Sequence, residues 1–281
     1  MRRATITLPT IRSLAQDFLR ELGICEPPLN ADDCLALREL TIADQTLDEL
    51  LQAEGRALLG IQGRLDAMLD LQERSVWLRS GLHPHKEKLG KIHEVGHDWL
   101  PWQSAVLHYC SILDLPVATQ REWEREATTF AIECMFLGGL FSEEARECPF
   151  SLTTAIELAE RYVVSYEAAI RQYVETSQQA CCLLVSQPIW PGGSLLRIPN
   201  NATEYEIRYY VSSRSFRGHI EPRQRFTSPE ISRVFRSGVT TRIVEHELVV
   251  TSGSKDIVYQ AESFTNSYRV FTLISSAPFD G

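Results

Sequence analysis

His93-Glu94-Val95-Gly96-His97 is the segment whose residue types and spacing can do chemistry. At helical pitch, residues four apart share a face, so both imidazoles can bind one metal ion. Glu94 lies about 100° round such a helix from His93 and can reach a water on that ion. Zinc brings the pKa of such a water toward neutrality. A glutamate so placed takes its proton as general base and returns it, as general acid, to a leaving amine. Chance produces an H-E-x-x-H in roughly one or two of a hundred shuffled chains of this composition, which favours the motif over a surface helix with two histidines.

Two histidines leave tetrahedral zinc one protein ligand short, with the fourth position kept for water. The segment REWEREATTFAIE offers Glu122, Glu124, Glu126 and Glu133. On a helical projection Trp123, Ala127, Phe130, Ala131, Cys134 and Met135 form one apolar stripe. Glu124 and Glu126 flank it on opposite sides, while Glu122 and Glu133 point toward solvent. Periodicity leaves both Glu124 and Glu126 open as the third ligand. A two-His, one-carboxylate set takes Zn2+ by default and also suits Mn2+ or iron. His108 and Tyr109, between the two motif segments, are candidate donors to a developing oxyanion, as are Tyr162 and Tyr173.

The elements that must position these residues can be read from periodicity and punctuation. Residues 10–24 are expected to form a helix capped by Thr10, and 31–40 a second one. Between 57 and 79 the runs ALLGIQGRLD, AMLDLQ and RSVWLRS suggest a small antiparallel sheet. Pro84 opens the motif helix and Pro101 ends it. Gly96 costs about 1 kcal/mol of helix propensity relative to Ala, which suggests that space is needed beside the metal. A helix over 120–138 stops at Gly138–Gly139. Two more follow, 151–162 and 166–176, spaced like a helix-turn-helix but acidic, so a hairpin covering the core is the better reading. From 181 onward CCLLVSQPIW, TEYEIRYYVSS, TTRIVEHELVVTS, DIVYQAESF and SYRVFTLISS have the texture of strands.

LGKIHEVGHDWL, followed about 25 residues later by EREATTFAIECMF, resembles the ImmA/IrrE family of metallopeptidases over about residues 55–140. That family's pattern is H-E-x-G-H on one helix and E-x-E-A-N-x-F-A on a second. The resemblance implies that Glu124 completes a metal site with His93 and His97, and that Glu94 is the catalytic residue. The sequence departs from the pattern at Lys91-Ile92 and at Thr128, where asparagine is usual; Thr128 can still hydrogen-bond one turn beyond Glu124.

Charge divides the chain. Residues 1–180 hold 17 Lys/Arg against 28 Asp/Glu, and residues 181–281 hold 11 against 9. The acidic front argues against non-specific nucleic-acid binding there. In the back, Arg208, Arg214, Arg217, Arg223, Arg225, Arg233 and Arg236 are interleaved with Tyr209, Tyr210, Phe216 and Phe226. Such a set can bind an anionic nucleotide, nucleic acid or acidic partner. The seven cysteines lack a C-x-x-C pair, which argues against a zinc ribbon or disulfide scaffold and leaves Cys181–Cys182 as a candidate redox pair. No apolar run approaches a membrane span, and MRRATITLPTIRSLAQDFL lacks a signal-peptide core, so a cytoplasmic protein is expected.

The expected fold is α+β. A zincin-like metallopeptidase domain (1–140) precedes a helical hairpin or HTH-like segment (141–180) and a β-rich, GAF-like C-terminal domain (181–281) that senses a signal or recruits substrate. The resemblance implies a site-specific endopeptidase that cleaves a regulatory protein, an HTH transcriptional repressor, in a stress or mobile-element response. The alternative is a non-catalytic regulator that keeps the fold and binds a partner, nucleic acid or small signal.

Overall fold

The computed structural model describes residues 7–53, 66–109, 112, 115–189, 204–218, 220, 223–237, 243–252, 255–266 and 268–275. The chain divides into two compact units, Met1–Phe141 with Arg161–Val163 and Ser142–Glu160 with Val164–Gly281. Both helices and sheets are present, so the class is α+β. Among the described residues no helix is long and apolar enough to cross a membrane.

The first unit opens with α1 (Leu8–Leu22), capped by Thr7 rather than by Thr10, because Pro9 is suited to the first turn and the helix starts ahead of it. Helix α2 (Ala31–Leu37) is shorter than expected; Asn30 caps it, its Oδ1 accepting from Asp32 N at 3.0 Å. Next come β1 (Thr41–Ile42), α3 (Leu47–Ala53), β2 (Ala67–Asp70) and β3 (Ser75–Leu78). The sheet order is β1-β3-β2, with β1 parallel and β2 antiparallel to β3. The sheet is therefore mixed, not antiparallel throughout: a strand joined by a long connection is free to pair in parallel, as β1 does. The expected strand in 57–65 lies outside the described residues.

Helix α4 (Pro84–Trp99) begins, as expected, with Pro84 in its first turn. Pro101 both ends it and opens α5 (Pro101–Leu107), a helix not read from the sequence. Helix α6 (Val117–Met135) buries Trp123, Ala127, Phe130, Ala131, Cys134 and Met135. Its stop is a 3₁₀ turn, Leu137–Gly139, in which Gly138 (φ 64°) and Gly139 (φ 139°) adopt backbone conformations that disfavour a side chain. Phe18 of α1 packs edge-on against Trp99 (5.0 Å) and Phe130 (5.4 Å), and Trp99 Nε1 donates to Leu14 O at 3.0 Å. Helices α1, α4 and α6 thus share one aromatic junction.

Helices α7 (Leu140–Glu147), α8 (Leu152–Tyr162) and α9 (Tyr166–Thr176) follow, and Ser165 caps α9 by accepting from Ala168 N at 3.2 Å. Beyond them lie β4 (Cys181–Pro188), β5 (Glu204–Ser212), β6 (Arg225–Thr227), α10 (Pro229–Ser237), β7 (Val244–Ser252), β8 (Lys255–Thr265) and β9 (Val270–Ser275). The second sheet has the order β6-β5-β4-β9-β8-β7, antiparallel throughout, with β4 paired to β9 from Cys181↔Ser275 to Ser186↔Val270. One face holds a core of Cys182, Leu184, Tyr205, Ile207, Leu248 and Ile274 against Ile231 and Phe235 of α10. Leu152 N donates to the buried Glu262 carboxylate, and Phe264 packs on Tyr166 at 5.9 Å, which seats the helices on the other side of β8.

Candidate metal centre

Helices α4 and α6 bring three of the sequence-derived residues together. His93 Nε2 lies 3.0 Å from Glu124 Oε2, and His97 Nε2 lies 3.1 Å from His93 Nε2 and 3.7 Å from Glu124 Oε1. One ligand atom from each residue falls within a 4.8 Å span. The close approach is possible because residue 96 is glycine. A Cβ there would stand 3.0 Å from Phe130 Cδ1 and 3.3 Å from the Ala127 backbone. The space that Gly96 provides is therefore between two helix backbones, where α6 seats on α4, and not beside the metal as the sequence suggested.

Each imidazole is oriented from behind. Gln103 Nε2 donates to Glu126 Oε2 at 2.7 Å and to Trp123 O at 3.3 Å, both acceptors, so the amide has one orientation. Its Oε1, 2.6 Å from His97 Nδ1, must then accept a proton from that ring. This fixes His97 as the Nδ1–H tautomer, with the Nε2 lone pair turned toward His93 and Glu124. Thr128 Oγ1, 3.3 Å from His93 Nδ1, can orient the second ring in the same way. Trp102 Nε1 donates to Glu126 at 2.8 Å. Of the two glutamates that periodicity left open, Glu124 faces the histidines, and Glu126 is buried in this supporting network. Gln103 and Trp102 escaped sequence reading because their helix was hidden behind Pro101, and a lone Gln carries no spacing signal.

Glu94 is buried, 5% exposed, beside His93. Burial raises its carboxyl to about 7 against the pull of the His93 charge, with the Leu69 main-chain N–H of β2 favouring the carboxylate. Burial lowers His97 to about 4, with His93 adding to the effect. For His93, burial acts downward, but the Glu124 hydrogen bond and the Glu94 and Glu124 charges outweigh it, and the net shift is upward. Burial pushes Glu124 up, yet the two histidines leave it below the usual carboxylate range.

Asp98, next to His97, is 2% exposed and bridges two arginines: Arg38 Nε at 2.5 Å and Arg74 Nη1 at 2.8 Å. Arg74 also donates to Arg38 O, and the Arg38 guanidinium lies 5.1 Å from the Trp99 ring centroid. This buried network ties the end of α4 to the end of α2 and the start of β3, and no motif announced it.

Other sequence candidates lie elsewhere. His108 and Tyr109 are exposed beyond α5, without a hydrogen bond to Glu94, His93, His97 or Glu124 among the described residues. Tyr162 is fully buried against Phe136 and Phe141, and Tyr173 stacks on Phe150 in the second unit. Glu122 is exposed and Glu133 pairs with Arg12 at 2.6 Å. Arg208, Arg214, Arg217, Arg223, Arg225 and Arg233 are exposed but spread over β5, the 213–224 loop, β6 and α10; the Arg236 side chain lies outside the described residues. Phe216 and Phe226 pack into the sheet core rather than beside the arginines. Cys181 and Cys182 are buried, with burial pushing the Cys182 thiol up to about 12, so neither is poised for redox chemistry.

No family model matches the chain. No curated protein matches it. Among solved structures, the fold is similar to that of a Mycobacterium tuberculosis transcriptional regulator, at 11% identity and a TM-score of 0.53, over 94% of this chain and 76% of that one.

Proposed function

We propose that the first unit is an ImmA/IrrE-like metallo-endopeptidase core, with His93, His97 and Glu124 as ligands to zinc or manganese. The observation that carries this reading is the inward convergence of two imidazole nitrogens and a carboxylate at 3.0–3.7 Å. With His97 Nδ1 protonated toward Gln103, and His93 Nδ1 donating to Thr128, two nitrogen lone pairs and an anion face one another. That arrangement is repulsive unless a cation or a proton sits among them, so the donor set fits a divalent ion. Such an ion, when bound, acts as a Lewis acid on water and on a substrate carbonyl. Glu94, buried beside His93, takes the proton of the attacking water and delivers it to the departing amine. Its raised carboxyl pKa suits a group that must both accept and donate a proton near neutral pH.

The substrate class follows from the resemblance: a regulatory protein, with an HTH repressor as the leading candidate. The second unit is then a GAF-like module that senses a signal or recruits that substrate, a fold-level analogy. The deciding experiment has two arms. Elemental mass spectrometry of protein purified without chelators should find about one zinc or manganese per chain. Protein N-termini should then be compared between cells expressing wild type and Glu94→Gln. New termini present only with wild type support proteolysis; identical termini together with metal-free protein would discard it. The second reading is a non-catalytic regulator, and a Glu94→Gln protein with full biological activity would select it.

A further inference from the structure

Lysine is scarce in this chain. There are four, Lys86, Lys88, Lys91 and Lys255, against 24 arginines, and three of the four sit in the first half of α4. Arginine is a permanent cation, whereas lysine can lose its proton and become a nucleophile. A cleft of about 360 Å³ in the first unit is lined by Lys88 and Lys91 of α4, Leu29 and Asp32 at the start of α2, and Pro84 and Val163. Lys88 lies five residues before His93, about 140° round the helix, so the cleft is on a different face from the metal ligands.

The two lysines differ in circumstance. Lys91 Nζ is held by Asp32 Oδ1 at 2.7 Å and Glu87 Oε1 at 2.8 Å, so its charge is matched. Lys88 Nζ has two carbonyl partners instead, Tyr162 O at 2.9 Å and Val163 O at 3.3 Å. Around it stand Cys34 of α2 and His85 of α4, with Asp32, Glu87 and Lys91 lining the same cleft. The Cys34 thiol is neutral, pushed by burial to about 12. Burial likewise brings Lys88 down to about 8. In its neutral form, the minority at pH 7.5, the amine has two N–H bonds for the two carbonyls and a lone pair left for a ligand.

We propose that Lys88 is a covalent capture site whose cleft takes a small uncharged aldehyde and holds it as an imine. The Nζ lone pair attacks the carbonyl carbon, the π pair moves to oxygen, and a proton from nitrogen passes to that oxygen. The resulting carbinolamine loses water, so the C=N bond replaces the C=O bond with no oxidant or reductant. The iminium form keeps one N–H for one of the two carbonyls. An uncharged ligand is specified because the Lys91 charge is already matched and Leu29, Pro84 and Val163 supply apolar wall.

The test uses the full chain with propanal and cyanoborohydride at pH 7.5, which reduces the imine to a stable propyl-lysine, mapped by peptide mass spectrometry. Lys88 should be labelled at least tenfold faster than Lys86 or Lys255: at pH 7.5 a pKa of about 8 gives a neutral fraction roughly two hundredfold that of an ordinary lysine at about 10.4, partly offset by the lower nucleophilicity of the less basic amine. Its rate should also saturate with propanal concentration. Lys88→Arg keeps a donor for both carbonyls and should abolish the saturable labelling with an unchanged thermal transition. Labelling of Lys88 no faster than of Lys86 and Lys255, or a rate linear in propanal, would overturn the proposal. Both wild-type readouts stand even if the variant fails to fold, and neither depends on metal at the other face of α4.

Discussion

Gln103 connects the candidate metal site to the interior, since its amide reads Glu126 and Trp123 on one side and fixes the His97 tautomer on the other. Among the described residues, Gln103→Leu leaves Glu126 with Trp102 alone and His97 free to adopt either tautomer. Metal affinity should fall about 10–100-fold, measured by competition with a chromogenic chelator. Thr128→Val should act in the same direction and more weakly, because the bond at 3.3 Å is long. On the proposed peptidase reading, Glu94→Gln should keep metal and stability while lowering cleavage by about 10²–10⁴-fold. His93, Glu94 and His97 were legible because they fall at helical spacing within one segment, whereas periodicity left Glu124 and Glu126 open and only the resemblance pointed to Glu124. The residues that hold them were not, since a single Gln, Thr or Asp makes a hydrogen bond without leaving a pattern.

At the scale of elements, the contact of α4 with α6 depends on the missing side chain of residue 96. Gly96→Ala gains about 1 kcal/mol of helix propensity, but the new Cβ meets Phe130 and the Ala127 backbone, and overpacking costs about 1–3 kcal/mol. The net effect should be a loss of stability in urea unfolding, accompanied by weaker metal binding as α6 is pushed away. Glu262 offers a test in the second unit. Burial raises its carboxyl above the unfolded value despite the Leu152 N–H. The folded state therefore binds that proton more tightly, and the contribution to stability is full at low pH and lost as pH rises through the folded value. Glu262→Gln should remove that slope, read as a smaller difference between urea midpoints at pH 4.5 and pH 8 than in wild type. The long helices were legible from apolar stripes and proline. Short α3, α5, α7 and α10 were not, because seven to nine residues span too few turns to establish a period.

Across the whole molecule, the change of texture near residue 180 correctly announces strands, while Ser142–Glu160 and Val164–Gly281 group together as one unit. The tie is local: Glu262 on Leu152 N, and the Arg269–Glu167–Tyr209 cluster, in which Arg269 Nη1 lies 3.1 Å from both Glu167 oxygens and Tyr209 donates to the same carboxylate. Such contacts between residues 42 to 110 positions apart have no signature in periodicity. Replacing the exposed Arg214, Arg217, Arg223 and Arg225 by Gln should leave thermal stability nearly unchanged. It should weaken retention on a phosphate matrix if these residues serve an anionic partner. The strand order carries one more consequence. Strand β4 sits in the centre of its sheet beside β9, which is the last strand described. The first unit has all its residues by Val163, but the second sheet cannot close until Val270–Ser275 emerge. At about 5–20 residues per second that is a lag of roughly 6–20 s on the ribosome. Throughout that interval the candidate peptidase unit is complete and its companion is not, so arrested nascent chains should resist protease in the first unit while remaining cleavable in the second.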